Sequence, residues 1–206
     1  VATSSHNSTS ERQFRNPTEY GGQKSITTTF TSTGSGACLL TNKQTNIKIT
    51  KATVGRIIDS TIKDASDMGR AMAPAAFDTI ITHFKDFKIK PNYYDLILTG
   101  DLGNIGKKTL LDLLENSGYD IKNNHDDCGL MLYNEDEMNI FSGGSGAGCS
   151  SLVIYSYIVN ALRNGIYKKV LIYSIAKQES RFIPSSISFS SAMGIMQIMP
   201  FLSKDI

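Results

Sequence analysis

Four glycines, Gly143, Gly144, Gly146 and Gly148, lead directly into Cys149, and here residue types and spacing first admit chemistry. A glycine turn that enters a helix points backbone N–H groups and the helix dipole at one spot, which suits an anion. A thiol at such a helix start can have a lowered pKa and act as a nucleophile. The plainer readings are a turn that permits tight packing and a small buried cysteine, and these are preferred. His125, Asp126, Asp127 and Cys128 are metal-ligand types, but they lack ligand spacing, so a polar turn and no metal are expected. His6 and His83 have no identifiable partners. Asp101, inside the loop Gly100-Asp101-Leu102-Gly103, suits a helix cap as readily as a ligand contact. Near the far end Glu179 stands beside Ser180, with Phe182, Pro184, Met196 and Gln197 following. A solitary glutamate at a helix end is ordinarily a solvated charge. To stay protonated near pH 7 it would need an apolar, partly desolvated cleft.

The elements that must position these residues read as an α/β pattern. Residues 8–36 are rich in Ser, Thr and Gly and read as loop with short strands. Strands are expected over 37–41 and 47–54. A helix is expected over 67–87, with Ala71, Ala75, Ile80, Ile81 and Phe84 on one face and Pro74 near its start. The run YDLILT over 94–99 suits a buried strand. Leu110, Leu111, Leu113 and Leu114 make 107–116 an amphipathic helix that Gly118 stops. A short strand over 129–133, a helix over 149–163 closed by Gly165 and a strand over 169–173 complete a layered fold, with helices against a mixed sheet.

Composition narrows the function classes. At 206 residues and 40% hydrophobic content the chain can bury a sizeable core. The net charge is +2, and the basic runs are no longer than pairs such as Lys107-Lys108 and Lys168-Lys169, so no nucleic-acid or polybasic membrane segment is indicated. Cys38, Cys128 and Cys149 are sparse and odd in number, which argues for a reducing compartment and against a disulfide scaffold. No apolar run approaches the ~20 residues of a membrane span, and no signal sequence is visible. The start at Val1, in what reads as a strand, leads us to expect that the chain begins inside a fold.

Six strings in order carry a resemblance: VATSSH (1–6), ERQFR (11–15), IKDASDMGRAMAPAAFDTI (62–80), YYDLILTGDLG (93–103), DDCGLMLY (126–133) and GGSGAGCSS (143–151). Over residues 1–173 the chain resembles the second half of the stage V sporulation protein AD family, thiolase-like proteins of the spore SpoVA group. The resemblance implies a thiolase-like half-domain without its first half. Thiolase-fold enzymes of the ketoacyl-synthase type take a cysteine nucleophile from the first half. From loops of the second they take a histidine and an asparagine or second histidine, which activate the thiolate and stabilise an oxyanion. At the matching loops this sequence has Gly100-Asp101-Leu102-Gly103 and Gly143-Gly144-Ser145-Gly146, so a binding module without cofactor is expected rather than a condensing enzyme. The family implies dipicolinic acid, a small dianionic pyridine, as ligand, other SpoVA proteins as partners, and a place peripheral to the spore inner membrane. It assigns no ligand-binding residue in this chain.

Residues 174–206 carry a second pattern. Glu179-Ser180, Phe182, Pro184, Ser191-Ala192, Gly194-Ile195-Met196-Gln197 and Met199-Pro200 resemble the soluble lytic transglycosylases of the goose-lysozyme type, with Ile195 in place of the usual leucine. The resemblance implies peptidoglycan as substrate and Glu179 as general acid and then base. The sugar's own hydroxyl attacks to give a 1,6-anhydro product, so no second carboxylate is required. Ser180 would orient the acid, and Met196 and Gln197 would line the cleft. The chain ends six residues after Pro200, so the rest of that cleft is expected to be missing and glycan cleavage is not expected.

The expected organisation is therefore an incomplete thiolase-like unit over 1–173 and a short, mainly helical transglycosylase-like segment over 174–206. At the join the first reading makes VLIYS a core strand, whereas the second puts IYSIAKQES on one helix, and one set of residues cannot satisfy both periods. That conflict marks either a fusion or an accommodation the periods do not show, and a composite is the expectation preferred. The alternatives carried forward are a lytic transglycosylase with a carrier region and a composite without function. Since thiolase halves pack face to face, an exposed apolar face and self-association are also expected.

Overall fold

A computed structural model describes residues 2–6, 26–27, 29–30, 32, 34–64, 66–100, 102–133, 142–144 and 146–173. Its centre is a parallel three-stranded sheet in the order His125–Asp127, Leu96–Thr99, Val170–Ile172. In chain order β1 (Ala2–His6) and β2 (Gly34–Cys38) form a separate antiparallel ribbon, with Ala2 opposite Cys38. The strands of the central sheet are β3 (Leu96–Thr99), β4 (His125–Asp127) and β5 (Val170–Ile172). Ile97 lies opposite both His125 and Leu171. Among the described residues the central sheet is wholly parallel rather than mixed, and antiparallel pairing belongs to the ribbon.

Two cores lie on opposite faces of this sheet. On one, Ile97 packs with Ala73, Ala76, Ile80 and Phe84 of α1 (Met68–Asp86) and with Leu110 and Leu114 of α2 (Gly103–Asn116). On the other, Leu96 and Leu98 meet Cys128 of α3 (Cys128–Leu132) with Val153 and Ile158. Those last two sit in a helix over 147–163 made of α4 (Ala147–Leu152), a π-helical stretch (Val153–Ile158) and α5 (Val159–Arg163). Every residue of β3 is buried, because a strand covered on both faces needs a continuous apolar run. The sheet pairing of 94–99 with 169–173 agrees with the reading from sequence.

Other expectations are corrected. Residues 47–54 form no strand: they run irregularly along α1, held by Thr53 on His83 (2.8 Å) and by a two-pronged Arg56–Asp78 ion pair (2.6 and 2.9 Å). Residues 37–41 pair only as far as Cys38. The strand expected at 129–133 is the short helix α3, and the strand precedes it at 125–127. The buried face of α1 runs through Gly69, Ala73, Ala76, Ile80, Ile81 and Phe84, which keeps the predicted Ile80, Ile81 and Phe84 but replaces the half-buried Ala71 and Ala75 by Ala73 and Ala76. Gly69 and Gly106 meet where α1 crosses α2, and a Cβ on Gly106 would lie 2.7 Å from the Gly69 Cα. Only glycine lets two backbones approach this closely.

Three helices end in the same way. The N–H after each C-terminal residue in left-handed conformation reaches back a full turn: Ile89 to Phe84 (3.0 Å), Tyr119 to Leu114 (2.9 Å) and Ile166 to Ala161 (2.9 Å). Gly118 (φ 81°) and Gly165 (φ 72°) take the left-handed position in two of them, but Lys88 (φ 52°) takes it in α1.

Candidate ligand-binding site

The two crossovers that leave β3 and β4 lie on opposite faces of the sheet, α2 on one and the 147–163 helix on the other. Such a reversal opens a crevice at the C-terminal ends of parallel strands, which is where open α/β sheets bind ligands. Described residues of four loop segments meet at that end: Phe30 and Ser32, Gly100 with Leu102 and Gly103, Asp127 to Gly129, and Ser142 to Gly144.

Asp127 ties them together. Its carboxylate is fully buried and accepts from the Thr99 hydroxyl (2.7 Å) and from the N–H groups of Leu102 (2.9 Å), Gly103 (3.1 Å) and Gly129 (3.1 Å). Burial pushes its pKa up, and the four donors pull against that shift. One side chain thus caps α3 from its own N-cap position and α2 from a neighbouring strand. Ser142 completes the second cap: its carbonyl accepts from Asn104 N–H (3.0 Å) and its hydroxyl oxygen from Ile105 N–H (3.2 Å). The first three amides of α2 are therefore consumed internally, and its N-terminus offers no anion site.

The glycine turn is shaped by packing. A Cβ on Gly144 would lie 2.6 Å from the Tyr133 ring and 2.9 Å from Cys149 Sγ, and one on Gly129 would sit 1.7 Å from the Gly144 carbonyl oxygen. Cys149 is fully buried, with its sulfur 3.5 Å from Ser32 Oγ and 3.8 Å from the Phe30 carbonyl. Ser150 donates to the Gly100 carbonyl (2.8 Å), which draws the helix start onto the β3 loop. Both preferred readings of this region, a packing turn and a small buried cysteine, match the geometry.

The polar turn expected at His125–Cys128 is instead an outer strand of the central sheet, β4, running straight into α3. Thr99 has one hydroxyl proton and gives it to Asp127, so His125 donates to Thr99 through Nε2 (3.2 Å). Its Nδ1 is then a buried acceptor without a partner. Burial first, and the nearby Lys107 charge second, push His125 down to about 4, against a weaker upward pull from Asp126. His83, for which no partner was foreseen, bridges Thr53 (2.8 Å) and Tyr94 (2.6 Å). Among the described residues no group of three or more His, Cys, Asp or Glu could hold a metal ion.

The sequence pointed to the Gly100–Gly103 and Gly143–Gly146 loops, and the fold brings both to one end of the sheet. It missed the capping role of Asp127, which it read as part of a polar turn, and it missed Ser142. An aspartate directly before Cys128-Gly129 was an available N-cap signal for the first, while the second depends on contacts across the chain. Asp101 and the candidate residues Glu179, Ser180, Met196 and Gln197 lie outside the described residues, as does the whole of 174–206.

Comparison with known proteins gives a consistent assignment. The sequence matches the stage V sporulation protein AD (SpoVAD) family over residues 1–184. It is 53% identical over 172 residues to "Stage V sporulation protein AD" of Bacillus subtilis (strain 168), a match that takes in 84% of this chain and 51% of the relative. The chain thus spans about half the length of that curated relative. With a family match across most of its length and this degree of identity, the chain belongs to the stage V sporulation protein AD family.

Proposed function

We propose that this chain is a non-catalytic, thiolase-like module of the SpoVA sporulation system that binds dipicolinic acid for uptake into the spore. One observation carries the reading. At the two loops where thiolase-type condensing enzymes hold their histidine and asparagine, the sequence reads Gly100-Asp101-Leu102-Gly103 and Gly143-Gly144-Ser145-Gly146. Neither loop holds a histidine or an asparagine, so on this reading the pair that activates a thiolate and stabilises an oxyanion is lost and a ligand held here is bound and released unchanged. The partners in this reading are other SpoVA proteins, at a place peripheral to the spore inner membrane. It is in keeping that no helix among the described residues is long and apolar enough to cross a membrane. Titration calorimetry with dipicolinate tests it. Saturable heat with dipicolinate and none with unsubstituted pyridine is expected, and the absence of a dipicolinate signal overturns the reading.

A second reading divides the chain at 173/174 and makes 174–206 a lytic transglycosylase segment with Glu179 as acid and base. Its support is the run from Glu179 to Pro200, much of which lies beyond the family match that ends at 184. Release of 1,6-anhydromuropeptides from purified peptidoglycan, lost in Glu179→Gln, would establish it. Equal background from both proteins is expected. Silence in this assay and in calorimetry would leave a composite without either activity. Self-association through an exposed apolar face draws support from Leu39, Leu40, Ile49, Val54 and Ile57, all exposed along the irregular segment beside α1. Light scattering across a concentration series tests it, and a monomer throughout would count against it.

A further inference from the structure

The opposite end of the sheet, away from the crevice, carries a different kind of surface. Tyr93 precedes β3 and Lys169 precedes β5, so the parallel pairing puts them side by side at the N-terminal ends of the strands. The Lys169 ammonium sits 3.9 Å above the Tyr93 ring, and Lys51 reaches in from the irregular segment, 5.5 Å from Tyr93 and 5.4 Å from Phe87. Both rings are more than a third exposed, and Ile166, in the turn that leads into β5, is 63% exposed. Lys85, Lys88, Lys90 and Lys168 stand exposed on the same segments. The acids interspersed with them are Asp86 and Asp95, and Asp95 is committed to the N–H groups of Lys168 (2.7 Å) and Lys169 (2.9 Å). These cations also surround the C-terminal, negative end of α1, which favours holding them there.

Lys88 strengthens the case. The equivalent helix-end position in the other two such turns is glycine, yet here a lysine accepts the left-handed conformation at the edge of the basic cluster. A residue kept where its backbone is disfavoured points to a use for its side chain.

We propose that this end of the molecule docks on an anionic lipid bilayer, with the lysines on the headgroup phosphates and Tyr93, Phe87 and Ile166 at the level of the interface. Clustered lysines beside half-exposed aromatic and aliphatic groups match the two attractions such a surface offers. Single-stranded nucleic acid fits less well, because stacking a base needs a free ring face. Tyr93 has Lys169 over its ring and Tyr94 packed at 88° to it, with centroids 5.0 Å apart. The inference rests on the proposed place beside a membrane, but the surface is separate from the ligand crevice, so it can fail while dipicolinate binding holds.

The test is co-sedimentation of the whole chain with vesicles of phosphatidylcholine alone and of phosphatidylcholine mixed with phosphatidylglycerol, in low and high salt. Binding to the mixed vesicles alone, lost in high salt, is expected. Lys51→Gln/Lys169→Gln should weaken it about thirtyfold, from roughly fivefold per lysine near the surface. Lys90→Gln/Lys168→Gln, outside the ring contacts and so harmless to packing, should weaken it by a similar factor. Equal binding to both vesicle types, no binding, an unchanged affinity in the second variant, or preference for a single-stranded oligonucleotide would each overturn the proposal.

Discussion

Thr99 and Asp127 sit opposite each other on adjacent parallel strands, and the threonine hydroxyl gives its single proton to the carboxylate at 2.7 Å. Neither side chain reaches solvent. The pair secures the ends of two strands and, through the remaining carboxylate contacts, the starts of two helices.

Removing that carboxylate should be severe. Asp127→Ala would leave three backbone N–H groups unpaired in the interior and the Thr99 hydroxyl with only the Asp126 carbonyl (3.3 Å), at a cost of about 3–5 kcal/mol. Asp127→Asn would keep the shape but turn an NH2 group toward donors, and should recover only part of the loss. Urea denaturation of both variants checks the order. A cost below about 1 kcal/mol for the alanine variant would mean that the network is not built as described.

His125 gives a pH dependence with a definite sign. Its folded pKa, about 4, lies below the ordinary 6.5, so the unfolded chain binds the proton more readily between those values. The stability contributed by the neutral ring is complete above about pH 6.5 and is lost as pH falls toward 4, amounting to about 3 kcal/mol. His83 is depressed in the same direction by burial, then by Lys51, so total stability alone does not isolate His125. Subtracting the acid stability curve of His125→Asn from that of the parent does so. Parallel curves would refute the assignment.

Helix ends offer a paired test. Lys88→Gly should stabilise the chain by up to about 1 kcal/mol, because glycine takes the left-handed conformation without a Cβ penalty. Gly118→Ala should destabilise it by about 1 kcal/mol through backbone strain alone, since nothing lies within 4 Å of the added carbon. Thermal unfolding of the two variants should shift in opposite directions.

Gly69→Ala should cost more than Gly118→Ala. Its Cβ would lie 2.2 Å from the Leu102 carbonyl oxygen and 3.0 Å from the Gly106 nitrogen, so α1 and α2 would have to move apart. Overpacking of this kind costs about 1–3 kcal/mol. Unfolding midpoints for the two glycine variants, measured side by side, decide the matter.

The central sheet was legible because β3 is an uninterrupted apolar run between turn residues, and because leucines at helical spacing follow it. The irregular stretch over 47–54 misled because its alternating Ile, Thr and Val residues favour a strand, whereas its anchors are side chains on α1 forty or fewer positions away. Residues 129–133 misled for a local reason. Asp127 supplies an N-cap that outweighs the strand preference of a short apolar run. The Asp127 network itself joins residues 99 to 129 across two strands and two loops, a geometry that periodicity does not encode. His83 was opaque in the same way, since Thr53 and Tyr94 approach it from separate segments.

The single carboxylate that closes this end of the sheet also couples motions. Amides at Leu102, Gly103 and Gly129 share one acceptor group, so none can exchange with solvent deuterium without Asp127 either losing a bond or leaving its place. The β3 loop and the start of α3 should then open as one cooperative unit, with similar protection at all three amides. A ligand entering the crevice would meet a floor that yields all at once or not at all.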